Sequence, residues 1–318
     1  MKRLLLLLLA MTACHAPQRQ AHRNAWMERS GHLKVLTSIA MIADVAEQIG
    51  GENVDVLALI EGELDPHSYE LVKGDDEKFR RADLIFYNGL GLEHGLSLRK
   101  ALENNPKAVA LGNTLLERTP SPILLSDGQY DPHIWMDIAL WKQVVDPIVE
   151  ALSARDPEHA STYRERGEAL TQRLNETDAK IYDLLHSVPE ERRYLVTSHD
   201  AFSYFTRHYL AEPEEVATES WQVRCAAPEG LAPDAQLSVT DIMEILDHVE
   251  TYKIPVLFPE SNVSRDALRK IEVSAQERGF DVRLSKETLY GDSMGTATYL
   301  EMIAHNAEVI ARELKEGL

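Results

Sequence analysis

The sequence predicts an α/β protein of two lobes, each with a central, mainly parallel β-sheet flanked by helices, joined by one long backbone helix. Three observations predict it. Short apolar runs alternate with helical patterns early in the chain, and the same alternation resumes late, which is the arrangement of parallel sheets covered by helices. Between Asp156-Pro157 and His186 the helical pattern is broken by no proline after the first turn, and its only glycine is Gly167. Some 30 residues of helix would extend about 45 Å, more than one small lobe needs and enough to join two. An ordinary helix pair inside a single domain is the alternative at this stage.

The elements follow in order. Residues 33–37 read as a strand, and 41–48 as a helix closed by Gly50-Gly51. A second strand, 54–60, runs into the loop Asp65-Pro66-His67-Ser68-Tyr69-Glu70. Residues 75–81 form a short charged helix, 84–88 a third strand ending in Gly89-Leu90-Gly91, and 109–111 a fourth. A helix at 141–154 precedes the long one, for which Asp156 supplies the N-cap and Pro157 the first helical position. Beyond Val188-Pro189 come a strand at 194–197, helices at 200–208 and 237–249, a strand at 254–258, a helix at 264–278, a strand at 281–284 and a closing helix at 296–314.

The N-terminus has the form of an export signal. Lys2 and Arg3 precede the run Leu4 to Leu9, then Ala10-Met11-Thr12-Ala13-Cys14, and the apolar stretch is far too short to span a bilayer. Cys14 resembles the lipidated cysteine of a bacterial lipobox, with Met11 where that motif usually has leucine; cleavage nearby and release is the alternative. The expected organisation is a signal peptide at 1–13, a lipidated Cys14 and flexible tether at 14–31, an N-terminal lobe at 32–153, the linking helix at 154–187 and a C-terminal lobe at 188–318. The protein is thus expected outside the cytoplasm, in the periplasm or at the cell surface, held to the membrane through its lipid.

Without Cys14 only Cys225 remains, so stability must come from a core rather than from disulfides. A lone cysteine of this kind reads as a packed apolar residue. The 33 basic and 52 acidic residues give a net charge of −19, which argues against nucleic acid or an anionic membrane surface as partner and suits the attraction of cations.

Three histidines and one aspartate stand in short loops that follow apolar runs. They are His67, His133 in Asp131-Pro132-His133-Ile134-Trp135-Met136-Asp137, His199 in Thr197-Ser198-His199-Asp200-Ala201-Phe202, and Asp292 in Tyr290-Gly291-Asp292-Ser293-Met294-Gly295. Imidazole nitrogen and carboxylate oxygen are ligands of first-row transition metals, and four of them converging would fill a tetrahedral shell. A single Asp-Pro-His is more often a plain turn, but two copies, both reached from a strand, point to metal. Asp200 or Glu229 is the alternative source of the carboxylate. His94 reads as lining the mouth of the cleft, whereas His32, His159, His186, His208, His248 and His305 read as solvated. Three imidazoles with ordinary pKa values near about 6.5 predict that binding is lost in acid.

These motifs, together with Asp83-Leu84-Ile85-Phe86-Tyr87-Asn88-Gly89 and the extension of the third histidine motif through Ser203-Tyr204-Phe205, resemble those of the zinc- and manganese-uptake solute-binding proteins of bacterial ABC importers, the ZnuA/TroA-like family. The likeness runs from about Leu33 to the C-terminus. It implies two lobes bridged by a rigid helix, one metal between them, and His67, His133, His199 and Asp292 as its ligands. The long histidine- and acid-rich loop of many zinc-specific relatives is missing, since no histidine lies between Leu111 and His133. The resemblance implies capture of one divalent ion, Mn2+ or Zn2+ foremost and Fe2+ as a third choice. It further implies delivery to a membrane permease driven by a cytoplasmic ATPase, by a protein that is a monomer and not an enzyme. The competing readings are a secreted mononuclear metalloenzyme, for which His-Glu-x-x-His is absent, and an adhesin or carrier of a metal chelate, to which the low aromatic content lends little support.

Overall fold

Strand β1 (Leu33–Thr37) lies at the centre of the first sheet because every one of its faces is covered. The sheet has the order β2-β1-β3-β4, with β2 at Val54–Ala58, β3 at Leu84–Tyr87 and β4 at Ala108–Ala110, all parallel. Val35, Val56 and Phe86 point into the central core, while Leu36, Leu57 and Ile85 point outward beneath helices. Burial on both faces explains why these strands read as nearly continuous apolar runs. The computed structural model describes residues 21–28, 31–119, 122–126, 128–233, 238–296 and 298–316, so the export signal and Cys14 lie outside the described residues.

A second sheet repeats the plan. After a two-stranded hairpin, β5 (Leu125–Ser126) and β6 (Gln129–Tyr130), the later half contributes β7 (Leu195–Val196), β8 (Cys225–Ala226), β9 (Val256–Leu257) and β10 (Arg283–Leu284). Parallel pairs β7 with β8 and β9 with β10, joined by the parallel bridge from Thr197 to Phe258, give the order β8-β7-β9-β10. The likeness to the first sheet extends to atoms. The hydroxyl of Thr37 donates to the carbonyl of Ile39 at 3.1 Å, and that of Thr197 to the carbonyl of His199 at 2.9 Å.

The predicted long helix spans Ala160–His186, 27 residues or about 40 Å. Tyr163, Gly167, Leu170, Leu174, Ile181 and Leu185 form its buried stripe. Gly167 is required by contact: a Cβ there would stand 2.8 Å from a methyl of Val149 in the helix Val145–Arg155. The central core runs through both lobes without a break, from Val35 and Phe86 past Leu170 to Leu195, Phe258 and Ile310. A seam so thoroughly packed limits how far the lobes can part.

Several elements differ from the sequence reading. Residues 21–28, expected within a flexible tether, are helical, with Trp26 2% exposed and its indole N–H donating to the carbonyl of Asp55 at 2.9 Å. The helices Leu96–Glu103, Leu111–Arg118 and Pro213–Thr218 and the strand β8 were not anticipated, because two- to eight-residue elements carry too little periodicity. The helix expected at 200–208 is a short turn at Ser203–Phe205 followed by a π-helical stretch, Thr206–Leu210. His208 in that stretch is not simply solvated: its Nε2 lies 2.9 Å from Asp178 on the long helix. His186 and His305 likewise meet backbone carbonyls, of Tyr182 and Thr288. Among the described residues no helix is long and apolar enough to cross a membrane.

Candidate metal centre

His67 and His133 are presented by the same local device. In each Asp-Pro-His the aspartate accepts the backbone N–H of the histidine two residues on, Asp65 from His67 at 2.9 Å and Asp131 from His133 at 2.9 Å. The turn that was the bland reading of this tripeptide therefore forms, and it aims the ring. His199 follows β7 directly, at the place occupied by Ile39 in the first sheet. Asp292 lies beyond β10, where the side chain of Asn306 on the closing helix (Tyr299–Lys315) clamps Tyr290 by two hydrogen bonds of 2.9 and 2.8 Å.

All four side chains meet between the lobes. One donor atom from each of His67, His133, His199 and Asp292 lies within 4.8 Å of the other three. Nε2 of His67 is 3.3 Å from Nε2 of His133. The carboxylate of Asp292 is 3.7 Å from His67, 3.4 Å from His133 and 3.1 Å from His199. A tetrahedron of donors at about 2.1 Å from an ion has edges of about 3.4 Å, close to these separations, of which that to His133 is measured from Oδ1 of Asp292 and those to His67 and His199 from Oδ2. Both oxygens of Asp292 are buried without a hydrogen-bond partner. The cost of burying such a carboxylate is met by positive charge, that of protonated His133 and His199 in the metal-free site or that of a bound ion.

Charge distribution in the metal-free site follows from the surrounding carboxylates. Burial disfavours a charged His133, yet Asp131, 2.7 Å from its Nδ1, and Asp292 outweigh burial and raise it to about 9. Burial is likewise overcome at His199, raised well above its ordinary value by Glu260, 2.7 Å from Nδ1, and by Asp292. At His67 burial prevails and its pKa is lowered. Burial opposes ionisation of Asp292, but His199 and His67 hold it well below the usual carboxylate range.

Once the rings are neutral, Asp131 holds the Nδ1–H of His133 and leaves its Nε2 lone pair to the centre, and Glu260, 2.7 Å from Nδ1 of His199, favours the same tautomer there. Glu260 was missed in the sequence. The available signal was position, because Pro259-Glu260 ends the strand predicted at 254–258 just as the histidines end others. Of the alternative carboxylates, Asp200 turns to the hydroxyl of Ser203 at 2.8 Å, and neither it nor Glu229 joins the cluster. His94 does line the cleft, its ring centroid 5.7 Å from that of His67. Cys225 packs against the central core. Ties between the lobes close the site: Trp135 donates to the carbonyl of Gly291 at 2.9 Å, Ser293 to Glu63 at 3.1 Å, and Tyr204 to the carbonyl of Asp131 at 2.9 Å.

Two α/β lobes on a long helix, with a buried cluster of three imidazoles and a carboxylate between them, define a metal-binding protein of the two-lobed solute-binding class. Residues 35–313 match the family described as ZnuA, zinc-uptake complex component A, periplasmic, and the chain belongs to that family of solute-binding proteins of ABC metal importers, which are not enzymes. It is 45% identical over 280 residues to the metal-binding protein YtgA of Chlamydia pneumoniae, covering 88% of this chain and 85% of that one. To the manganese-binding lipoprotein MntA of Bacillus subtilis it is 32% identical, covering 89% and 90% of the two chains. The crystal structure of Fe(III)-bound YtgA from Chlamydia trachomatis superposes with a TM-score of 0.86 at 40% identity, covering 89% of this chain and 98% of the other.

Proposed function

We propose that this protein captures one divalent transition-metal ion between its lobes, with His67, His133, His199 and Asp292 as the ligands, and delivers it to the permease of an ABC importer. The observation that carries this reading is the convergence of four buried donors, all within 4.8 Å of one another, with Asp292 at 3.1 to 3.7 Å from each of the three imidazoles. A closed shell of four protein ligands holds an ion; activating water for hydrolysis would need an open position. The cargo is Mn2+ or Zn2+, with Fe2+ as a third choice. Relatives named for zinc, manganese and iron support that range of elements, and the structure of one relative holds its iron as Fe(III). Intrinsic affinity favours zinc over manganese, so supply and coordination geometry set the physiological choice.

The first lobe takes in the docked helix at 21–28 and runs to residue 153, the second spans 188–318, and the protein acts as a monomer tethered outside the cytoplasm through a lipidated Cys14, an anchor supported by the lipoprotein among its relatives. Elemental analysis of protein purified without chelator, followed by titration of the metal-free form, tests the function. One tightly bound ion per chain is expected; two, or none tighter than a surface site, refutes the closed tetrad. Partition into detergent, abolished in Cys14→Ser, tests the anchor, and a mature N-terminus beyond Cys14 in mass spectrometry refutes it.

A further inference from the structure

The four donors are unequally held. His133 and His199 each have a carboxylate 2.7 Å behind the ring, Asp131 and Glu260 respectively. Asp65 starts the same turn for His67 but directs its second oxygen to the hydroxyl of Ser68 at 2.5 Å rather than to the imidazole. Among the described residues no carboxylate stands behind the His67 ring; its only ion-pair partner is Asp292, within the tetrad itself.

The same residue faces the way out. The His67 side chain is 2% exposed, and those of the other three are 0%. Between the lobes lies a cavity of about 1110 Å³, and of the four donors His67 alone lines it. Its walls carry the acidic residues Asp131, Asp200, Glu229, Asp241 and Glu244 and, among the described residues, no lysine or arginine. A cation is drawn into such a space, and an ion with six waters of about 30 Å³ each fits it easily.

We infer that His67 is the ligand through which the metal enters and leaves. The inference rests on the tetrad being the metal site. An ion held by four buried donors leaves only after one of them swings away and water takes its place. Rotation of His133 or His199 breaks a buried ion pair with the carboxylate behind its ring, whereas rotation of His67 gives up only its contact with Asp292 inside the tetrad, and of the four donors only His67 lines the cavity. The ion therefore arrives from the cavity at a fixed base of His133, His199 and Asp292. His67 closes over it last and releases it first.

Chemical rescue tests this. His67→Gly, His133→Gly and His199→Gly are each titrated with Co2+, followed by visible absorption, with and without free imidazole. All three variants should bind more weakly than the parent by at least about tenfold. Imidazole should restore affinity and the four-coordinate spectrum in His67→Gly alone, because only that vacancy communicates with the cavity. Rescue of none, or rescue at His133 or His199 as well, overturns the entry role while leaving the tetrad standing. Parent-like affinity in all three variants overturns the tetrad itself. As a measurement that does not need the glycine variant to fold, His67→Gln should release Co2+ to a chelator at least about tenfold faster than the parent. An unchanged rate overturns the inference.

Discussion

Glu260 holds one carboxylate oxygen 2.7 Å from Nδ1 of His199, while its other oxygen accepts the backbone N–H groups of Ser198 and His199 at 3.0 and 2.9 Å. One buried side chain thus fixes both the backbone that carries the ligand and the direction in which the ring points. Glu260→Gln keeps an oxygen for the backbone but sets an amide against the ring. It is expected to weaken metal binding about 10- to 100-fold without changing the stoichiometry, as losses behind a ligating histidine typically do. Isothermal titration of the metal-free variant measures it, and an unaltered Kd refutes the supporting role.

Gly291 is a glycine because of that same carboxylate. A Cβ at this position would stand 2.1 Å from Oε2 of Glu260 and 3.1 Å from Cε1 of His199. Gly291→Ala is therefore expected to push Glu260 off the ring, weakening binding by about tenfold or more and costing about 1–3 kcal/mol of stability from overpacking. Combined with Glu260→Gln, the two losses of affinity should not add, since both break one contact. Additive losses would place the effect of Gly291 elsewhere.

Proton release should reveal the charge state of the metal-free site. With His133 raised to about 9 and His199 raised well above its ordinary value, two of the three imidazoles hold protons near neutral pH that an incoming ion must displace. Calorimetry in buffers of different ionisation enthalpy is expected to show about two protons released per ion near pH 7, and affinity should go on rising toward pH 9. The ordinary histidine pKa of about 6.5 predicts instead a plateau just above neutrality. A histidine raised in the folded state stabilises most below its unfolded pKa, and that contribution is lost as pH rises through the folded value. The metal-free Tm should therefore fall between about pH 6.5 and 9, so the thermal stabilisation given by metal grows over that interval. Release of no protons near neutral pH is the contrary result.

Trp26 closes the outer face of the first sheet. It is 2% exposed within a cluster with Leu36, Leu57, Phe79 and Leu98, and the ammonium of Lys34 lies 5.1 Å from its ring centroid. Trp26→Ala is expected to destabilise the protein by about 3 kcal/mol, toward the lower end of the range for a buried tryptophan because the site lies at the edge of the fold. Urea denaturation of the metal-free protein measures this. A change below about 0.5 kcal/mol, the range of an ordinary surface substitution, would show that this segment does not contribute to the core.

Much of this protein was written locally. The strands β1, β2 and β3, the long helix and its single glycine were legible because parallel strands buried on both faces and an unbroken amphipathic helix each impose a period on the sequence. The ligand loops were legible because Asp-Pro-His encodes its own turn, and Asp65 and Asp131 make that turn through bonds spanning two residues. What the sequence alone left open was the choice among carboxylates, since Asp200, Glu229 and Asp292 are alike as letters. Packing determines which of them lies beside the three histidines: Asn306, Trp135 and Glu63 fasten the loop around Asp292 from three distant parts of the chain. The role of Glu260, the docking of Trp26 and the two-residue strand β8 were undetermined for the same reason. Each rests on contacts between residues far apart in sequence, and a local pattern carries no information about what the fold will place beside it.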